Sequence, residues 1–212
     1  MVKFLSSFLI YSTLSYADFL NQDTVLKELI KKQGVQELGS KKNYYLHLCY
    51  SILGQQLSTK VARVIRQRFV DLYDGKFPTP EQILETPVTT FRSIGFSNAK
   101  ASYVHNVAKF ALESGMEDKK LNKMSDEEVI EYLTPIKGVG RWTVEMLLMF
   151  TMGREDVFAV DDLGIQNAMC LLYRIRKTDK KKMKLKMLKI SKAWSPYRSY
   201  ACLHLWKSLD NE

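Results

Sequence analysis

Helix start and stop signals recur along the whole chain, and no segment alternates apolar and polar residues with period two. That combination limits the fold more than any other feature. Asp23 precedes an apolar series of Leu26, Leu29 and Ile30 that Gly34 stops. Between Asn43 and Gln56, the residues Tyr45, Leu48, Cys49, Ile52 and Leu53 form one stripe at helical spacing. Ser58 caps a helix running past Val61, Ile65 and Phe69 to Gly75. Thr79 with Pro80 and Gln82, and Ser125 with Glu128, are capping-box starts. Thr90 to Ser93 reads as a short turn ending near Gly95, and Ser97 opens a long helix closed by Gly115. Further helices are predicted over 141–152, from Asp162 to about Arg174, from about Asp179 to Ala193 with Thr178 as cap, and from Pro196 to Leu209. The expectation is an all-α protein of about ten helices joined by short loops.

At 212 residues the chain is long enough for a sizeable core, as one domain or two small lobes. Thirty-two Lys and Arg against 23 Asp and Glu leave a formal charge of +9, which suggests an anionic partner or else a merely basic surface. Cys49, Cys170 and Cys202 are far apart and form no CxxC pair, so they read as buried thiols of a reducing compartment. His47, His105 and His204 lack metal-ligand spacing. At the N-terminus, Lys3, the apolar run Phe4–Ile10 and the small residue Ala17 have some look of a signal peptide. The run is short, and a packed N-terminal helix is the reading adopted. No segment reaches the length of about 18 apolar residues that a membrane span requires.

The chemistry concentrates between Thr134 and Gly164. Ile136-Lys137-Gly138-Val139-Gly140 reads as a Gly-rich hairpin opening into a helix, and a short extended run, Val157 to Val160, then delivers Asp161 and Asp162 to the start of another. Glycines let backbone N–H groups approach a phosphate closely, and a helix N-terminus behind them favours an anion. The paired aspartates are the one obvious candidate for chemistry, although ordinary helix caps would look the same.

Gly138 to Thr143, followed by Asp162 in Val-Asp-Asp-Leu-Gly, resembles the helix-hairpin-helix DNA glycosylases, and within them the alkyl-base (3-methyladenine type) branch of bacteria and yeasts. The likeness extends to Ile52 to Ser58, to Trp194 to Ala201 and to Leu205-Trp206. The resemblance implies a two-lobed fold. A central helical lobe over residues 41–157 would end in the hairpin motif at about 125–152, and residues 1–40 with 158–212 would build a second lobe. The cleft between them would hold a flipped base. Iron–sulfur relatives carry four clustered cysteines, which three scattered ones cannot reproduce.

Residue roles carry over position by position. Asp162 would stabilise the positive charge that develops on the sugar and orient the attacking water, with Asp161 capping the helix and positioning its neighbour. Backbone N–H groups of Gly138 and Gly140, with Lys137 and Arg141, would grip the DNA backbone. Many members have Pro where this chain has Lys137. The hairpin carbonyls of Thr134, Ile136 and Val139 would hold a monovalent cation, and catalysis itself would need no cofactor. Bifunctional relatives place a nucleophilic Lys where this chain has Trp142, so the implied reaction is hydrolytic and leaves an abasic site.

Trp142 and Trp206 would line the base pocket, where an indole face attracts a cationic alkylated purine. Met146, standing where a relative has another aromatic, and Asp161 would border the same pocket. Trp194 reads as core. Gln56, with Leu57 second, would fill the gap left by the flipped nucleotide, unless that turn is simply packed. Ser97 and Lys100 are candidate second phosphate contacts. The run Lys180 to Lys186 reads either as a solvated helix face or as a DNA-facing surface. The implied partner is damaged double-stranded DNA, met by a monomer in the cytoplasm, at the nucleoid of a prokaryote, or in the nucleus of a eukaryote. Hypoxanthine-type deaminated bases are the alternative substrate, and non-catalytic DNA binding is the alternative function.

Overall fold

The computed structural model describes residues 15–209, and thirteen α-helices and one 3₁₀ turn make up their regular secondary structure. The helices are α1 (Tyr16–Leu20), α2 (Thr24–Gln33), α3 (Tyr44–Gly54), α4 (Thr59–Asp71), α5 (Pro80–Glu85), α6 (Val88–Ser93) and α7 (Asn98–Ser114). They continue with α8 (Asp118–Leu121), α9 (Asp126–Leu133), α10 (Arg141–Phe150), α11 (Leu163–Leu172), α12 (Lys180–Ser191) and α13 (Arg198–Lys207). The 3₁₀ turn, Lys192–Trp194, follows α12 directly.

Capping chemistry sets most of these starts. Thr79–Gln82 and Ser125–Glu128 form reciprocal capping boxes, while Ser58 and Ser97 accept from the N–H three residues on. Three expectations change. The stretch expected to be a turn at Thr90 to Ser93 belongs to the helix α6, the cap of α12 is Asp179 rather than Thr178, and α10 stops at Phe150. The reading of residues 1–14 as helix or leader lies outside the described residues, whereas α1 is helical from Tyr16 and buries Tyr16 and Leu20.

Packing sorts the helices into two sets. In the first, α3 is the central rod, in contact with α4, α7 and α10, while α7 takes α5 and α6 and α10 takes α9. Leu48, Cys49 and Ile52 of α3 are wholly buried there, beside Val104 and Ala108 of α7 and Leu147 of α10. In the second set α13 packs against α2 and α11, with α1 on α2 and α12 on α11 and the 3₁₀ turn.

Asp23 fastens the two ends of the chain together. Its Oδ1 caps α2 and accepts from the Tyr173 hydroxyl at 3.0 Å, and its Oδ2 accepts from Trp194 Nε1 at 3.0 Å. Trp194, 1% exposed, is a core residue. Across the connection between the sets, Arg198 binds Asp156 through two nitrogens at 2.7 and 3.0 Å, and Ser195 donates to the same carboxylate at 2.7 Å. This network holds the chain in place immediately before the paired aspartates. Among the described residues no helix is long and apolar enough to cross a membrane, and no His, Cys, Asp and Glu side chains gather as a metal-holding group.

Candidate active site

Asp162 is the N-cap of α11, and its Oδ1 accepts the Ile165 N–H at 2.9 Å. The same oxygen accepts Trp206 Nε1 at 2.7 Å, and Oδ2 accepts Trp142 Nε1 at 2.8 Å. Three donors from α10, α11 and α13 thus orient one carboxylate. A carboxylate offers about four lone-pair positions, so one remains, on Oδ2, for a water or an electron-poor centre. Trp142 is 39% exposed, so its ring borders open space.

Two residues that complete this arrangement had no role in the sequence reading. Gly164 lies against Trp206, and Phe150, 41% exposed, sets its ring 5.6 Å from the Trp206 ring at 35°. Phe150 ends the α10 stripe as an exposed aromatic, and Gly164 closes Val-Asp-Asp-Leu-Gly. Both signals are visible in the sequence but acquire meaning only once Trp206 is placed. Met146, on α10 one turn beyond Trp142, is half-buried against the core.

Asp161 does not cap α11. Its carboxylate pairs with the Lys184 ammonium of α12, because the turn before α11 puts Asp162, not Asp161, at the helix start. Arg141 also departs from its expected role. Its guanidinium sits on Glu127 at 2.8 Å through two nitrogens and on Glu145 at 3.1 Å, so its charge is neutralised within the protein. The Glu145 side chain is 5% exposed, its Oε2 is buried without a partner, and burial raises its carboxyl to about 7 against the opposing pull of Arg141. It faces a cavity of about 330 Å³ between α9, α10 and the Asp156–Val160 segment.

The hairpin of residues 134–140 is braced from behind. Asn106 Nδ2 of α7 donates to the Lys137 carbonyl at 3.0 Å, and Gln55 Nε2 donates to the Gly138 carbonyl at 3.4 Å and to Thr143 Oγ1 at 3.3 Å. Gly138 has φ +102°, and a Cβ there would meet the Tyr103 ring at 2.2 Å, so only glycine fits. Gly140 is different, since a Cβ would meet nothing within 4 Å. Its openness leaves room for an external group at the N-terminus of α10. Among the described residues, the N–H groups of Gly138, Gly140, Arg141 and Trp142 find no acceptor in the protein. Lys137 is exposed beside them. The Ile136 carbonyl accepts from Val139, whereas the Thr134 and Val139 carbonyls receive no backbone donor among the described residues.

Gln56 has φ +58° and is exposed together with Leu57, so the turn after α3 presents both side chains outward. Ser97 is exposed and caps α7. Lys100, expected as a phosphate contact, instead donates to the Leu53 carbonyl at 2.9 Å. There its charge meets the negative end of α3, and burial lowers its pKa.

The chain matches known proteins over most of its length. Residues 49–193 match the HhH-GPD superfamily base excision DNA repair protein family. The chain is 39% identical over 170 residues to DNA-3-methyladenine glycosylase 1 of Schizosaccharomyces pombe, covering 79% of this chain and 73% of that one. It is 35% identical over 190 residues to the alkylbase DNA glycosidase-like protein mag2 of the same yeast, covering 87% and 88%. In structure it superposes on the S. pombe 3-methyladenine DNA glycosylase Mag1, solved in complex with abasic DNA, with TM-score 0.82 and 35% identity over 92% of this chain and 96% of that one.

Proposed function

The chain belongs to the HhH-GPD superfamily of base excision DNA repair proteins, and from that membership we propose that it is a monofunctional DNA glycosylase. It releases alkylated purines of the 3-methyladenine type by hydrolysis and leaves an abasic site. The observation that carries this reading is the Asp162 carboxylate held between the indole N–H groups of Trp142 and Trp206, beside a hairpin whose backbone donors face outward.

The geometry supports each demand of the reaction. The N–H groups of Gly138 and Gly140 and the α10 N-terminus are suited to a phosphate and read no base. A purine turned out of the duplex would meet the Trp142, Trp206 and Phe150 rings, and a cationic N-alkylated base is favoured at indole faces. As the bond from C1′ to the base nitrogen breaks, its electron pair neutralises the departing cationic base. No strong general acid is needed. The Asp162 carboxylate stabilises the resulting sugar cation, and its remaining lone pair orients the water that adds to C1′ and takes up the water's proton.

Position 142 holds an indole, not an amine, so no Schiff base forms there and the strand is left intact. The Thr134, Ile136 and Val139 carbonyls are the groups that would hold a monovalent cation, which would tighten the hairpin. The protein acts as a monomer on double-stranded DNA, at the nucleoid or in the nucleus.

The test is base release from a methylated duplex by wild type and Asp162→Asn, with the strand checked for breaks before and after alkali. Release by wild type only, with breaks only after alkali, is the expected result. No release from either protein, with DNA binding intact in both, would overturn the alkyl-base reading. Hypoxanthine-containing duplex would then separate a different substrate from non-catalytic binding.

A further inference from the structure

The net positive charge of this protein resides in one segment. Residues 174–192 hold ten of the 32 Lys and Arg and one of the 23 acidic residues, Asp179. The rest of the chain therefore carries 22 of each sign, and the formal charge of +9 resides entirely in this stretch. The stretch runs from the turn after α11 through the helix α12 to the first residue of the 3₁₀ turn.

Packing fixes which way the charge faces. Met183, Met187 and Ser191 are the buried side of α12, so Lys181, Lys182, Lys186 and Lys189 project from the opposite side and are exposed. Among the described residues, Lys181, Lys186 and Lys189 meet no acidic side chain, and Lys182 has only a loose contact with Asp179 at 3.8 Å. An open cleft of about 270 Å³ lies between this helix and the preceding turn, with Arg174, Arg176, Lys182 and Lys186 among its walls. Lys184 leaves the row to pair with Asp161, one residue from the reacting carboxylate. The helix that carries the basic surface is thereby tied to the segment bearing the paired aspartates.

We infer that α12 and the turn before it form a second DNA-backbone surface, separate from the hairpin, that takes the phosphates of the duplex as it enters the cleft. Successive lysines at 182, 186 and 189 rise by about 4.5–6 Å along the helix. Duplex DNA offers one charge for roughly every 1.7 Å of its axis, so such a row finds phosphates in any register and without regard to sequence. The Arg141 pairing strengthens the assignment. With that guanidinium neutralised by Glu127 and Glu145, the hairpin supplies mostly neutral backbone donors, and the long-range attraction falls to α12. The inference rests on the DNA-directed reading above.

The experiment is the salt dependence of binding to an undamaged duplex and to one containing an abasic site. The proteins are wild type, K181Q/K186Q/K189Q, and K27Q/K31Q/K32Q on α2, which removes the same net charge elsewhere. The α12 variant should show a slope of log affinity against log salt that is shallower by about 2 to 3. Its single-turnover base release at saturating enzyme should equal wild type, and the α2 variant should keep the wild-type slope. An unchanged slope in the α12 variant, or equal changes in both variants, overturns the surface and leaves the glycosylase reading standing. A wild type that does not bind DNA overturns both.

Discussion

Gly164 and Trp206 are in such close contact that a Cβ on the glycine would lie 2.9 Å from the indole Cδ1 and 3.1 Å from its Nε1. The same Cβ would lie 3.1 Å from Asp162 Oδ1. The missing methyl group is what allows the indole to reach the carboxylate. Gly164→Ala therefore pushes Trp206 off Asp162 while adding a better helix former to the first turn of α11. Base release should fall by about 10- to 100-fold, the equivalent of one hydrogen bond to a charged group. The melting temperature should fall slightly, because the lost hydrogen bond outweighs a gain of about 1 kcal/mol in helix propensity. A variant with wild-type activity would show that the Trp206 contact is dispensable.

Trp142→Phe and Trp206→Phe each keep a ring and remove one N–H donor from the Asp162 carboxylate. Each should lower single-turnover base release by roughly tenfold or more. Because both donors act on one carboxylate, the double variant should lose less than the product of the two. Multiplicative losses would mean that the two indoles act independently, through stacking.

Two buried groups give the stability curve opposing pH terms. Unfolded, the Glu145 carboxyl titrates near 4.5, and folded it titrates at about 7, chiefly through burial. Its destabilisation is therefore complete above pH 7 and is relieved as pH falls towards 4.5, on a scale of about 3 kcal/mol. His204, wholly buried, is lowered from 6.5 to about 4 by burial, with Lys207 adding to the effect, so its contribution to stability is lost as pH falls through the same window. Replacing Glu145 with Gln removes the first term only. The melting temperature of Glu145→Gln relative to wild type should be highest at pH 8 and decline steadily to pH 5. A difference that does not vary with pH would place the Glu145 titration outside this window.

Asp23→Ala removes the α2 cap and leaves the Trp194 indole N–H and the Tyr173 hydroxyl without their acceptor. Together these losses should destabilise the fold by about 3 kcal/mol, a fall of roughly 6–12 °C in melting temperature for a chain of this size. Thermal unfolding measures it directly. A loss under 1 °C would show that water replaces the carboxylate at both donors.

What the sequence made legible was local chemistry. The capping boxes at Thr79 and Ser125 depend on residues three apart, and the structure has both. Asp162 could be singled out because its distance from the hairpin matches the family that the chain resembles. Which aspartate caps α11 depended on Lys184, more than twenty residues away, and on the placement of Trp206. The charge of Arg141 was plain, but its direction was set by Glu127 on another helix and by Glu145 a turn further along its own. Lys100 looked like a phosphate ligand because the carbonyl it serves belongs to Leu53, 47 positions earlier. The helix α8 escaped notice and α6 was read as a turn because four to six residues cannot display a helical period.

The braced hairpin bears on how such a protein travels. Asn106 and Gln55 hold two of its carbonyls from behind, so the peptide planes are set and the outward N–H groups need no ordering when a phosphate arrives. Every phosphate of an intact duplex is the same to such a grip. The energy along undamaged DNA is then nearly level, with no sequence at which the protein lingers. On the proposed glycosylase reading, sliding would be fast, and only a base that leaves the stack readily would bring it to a halt.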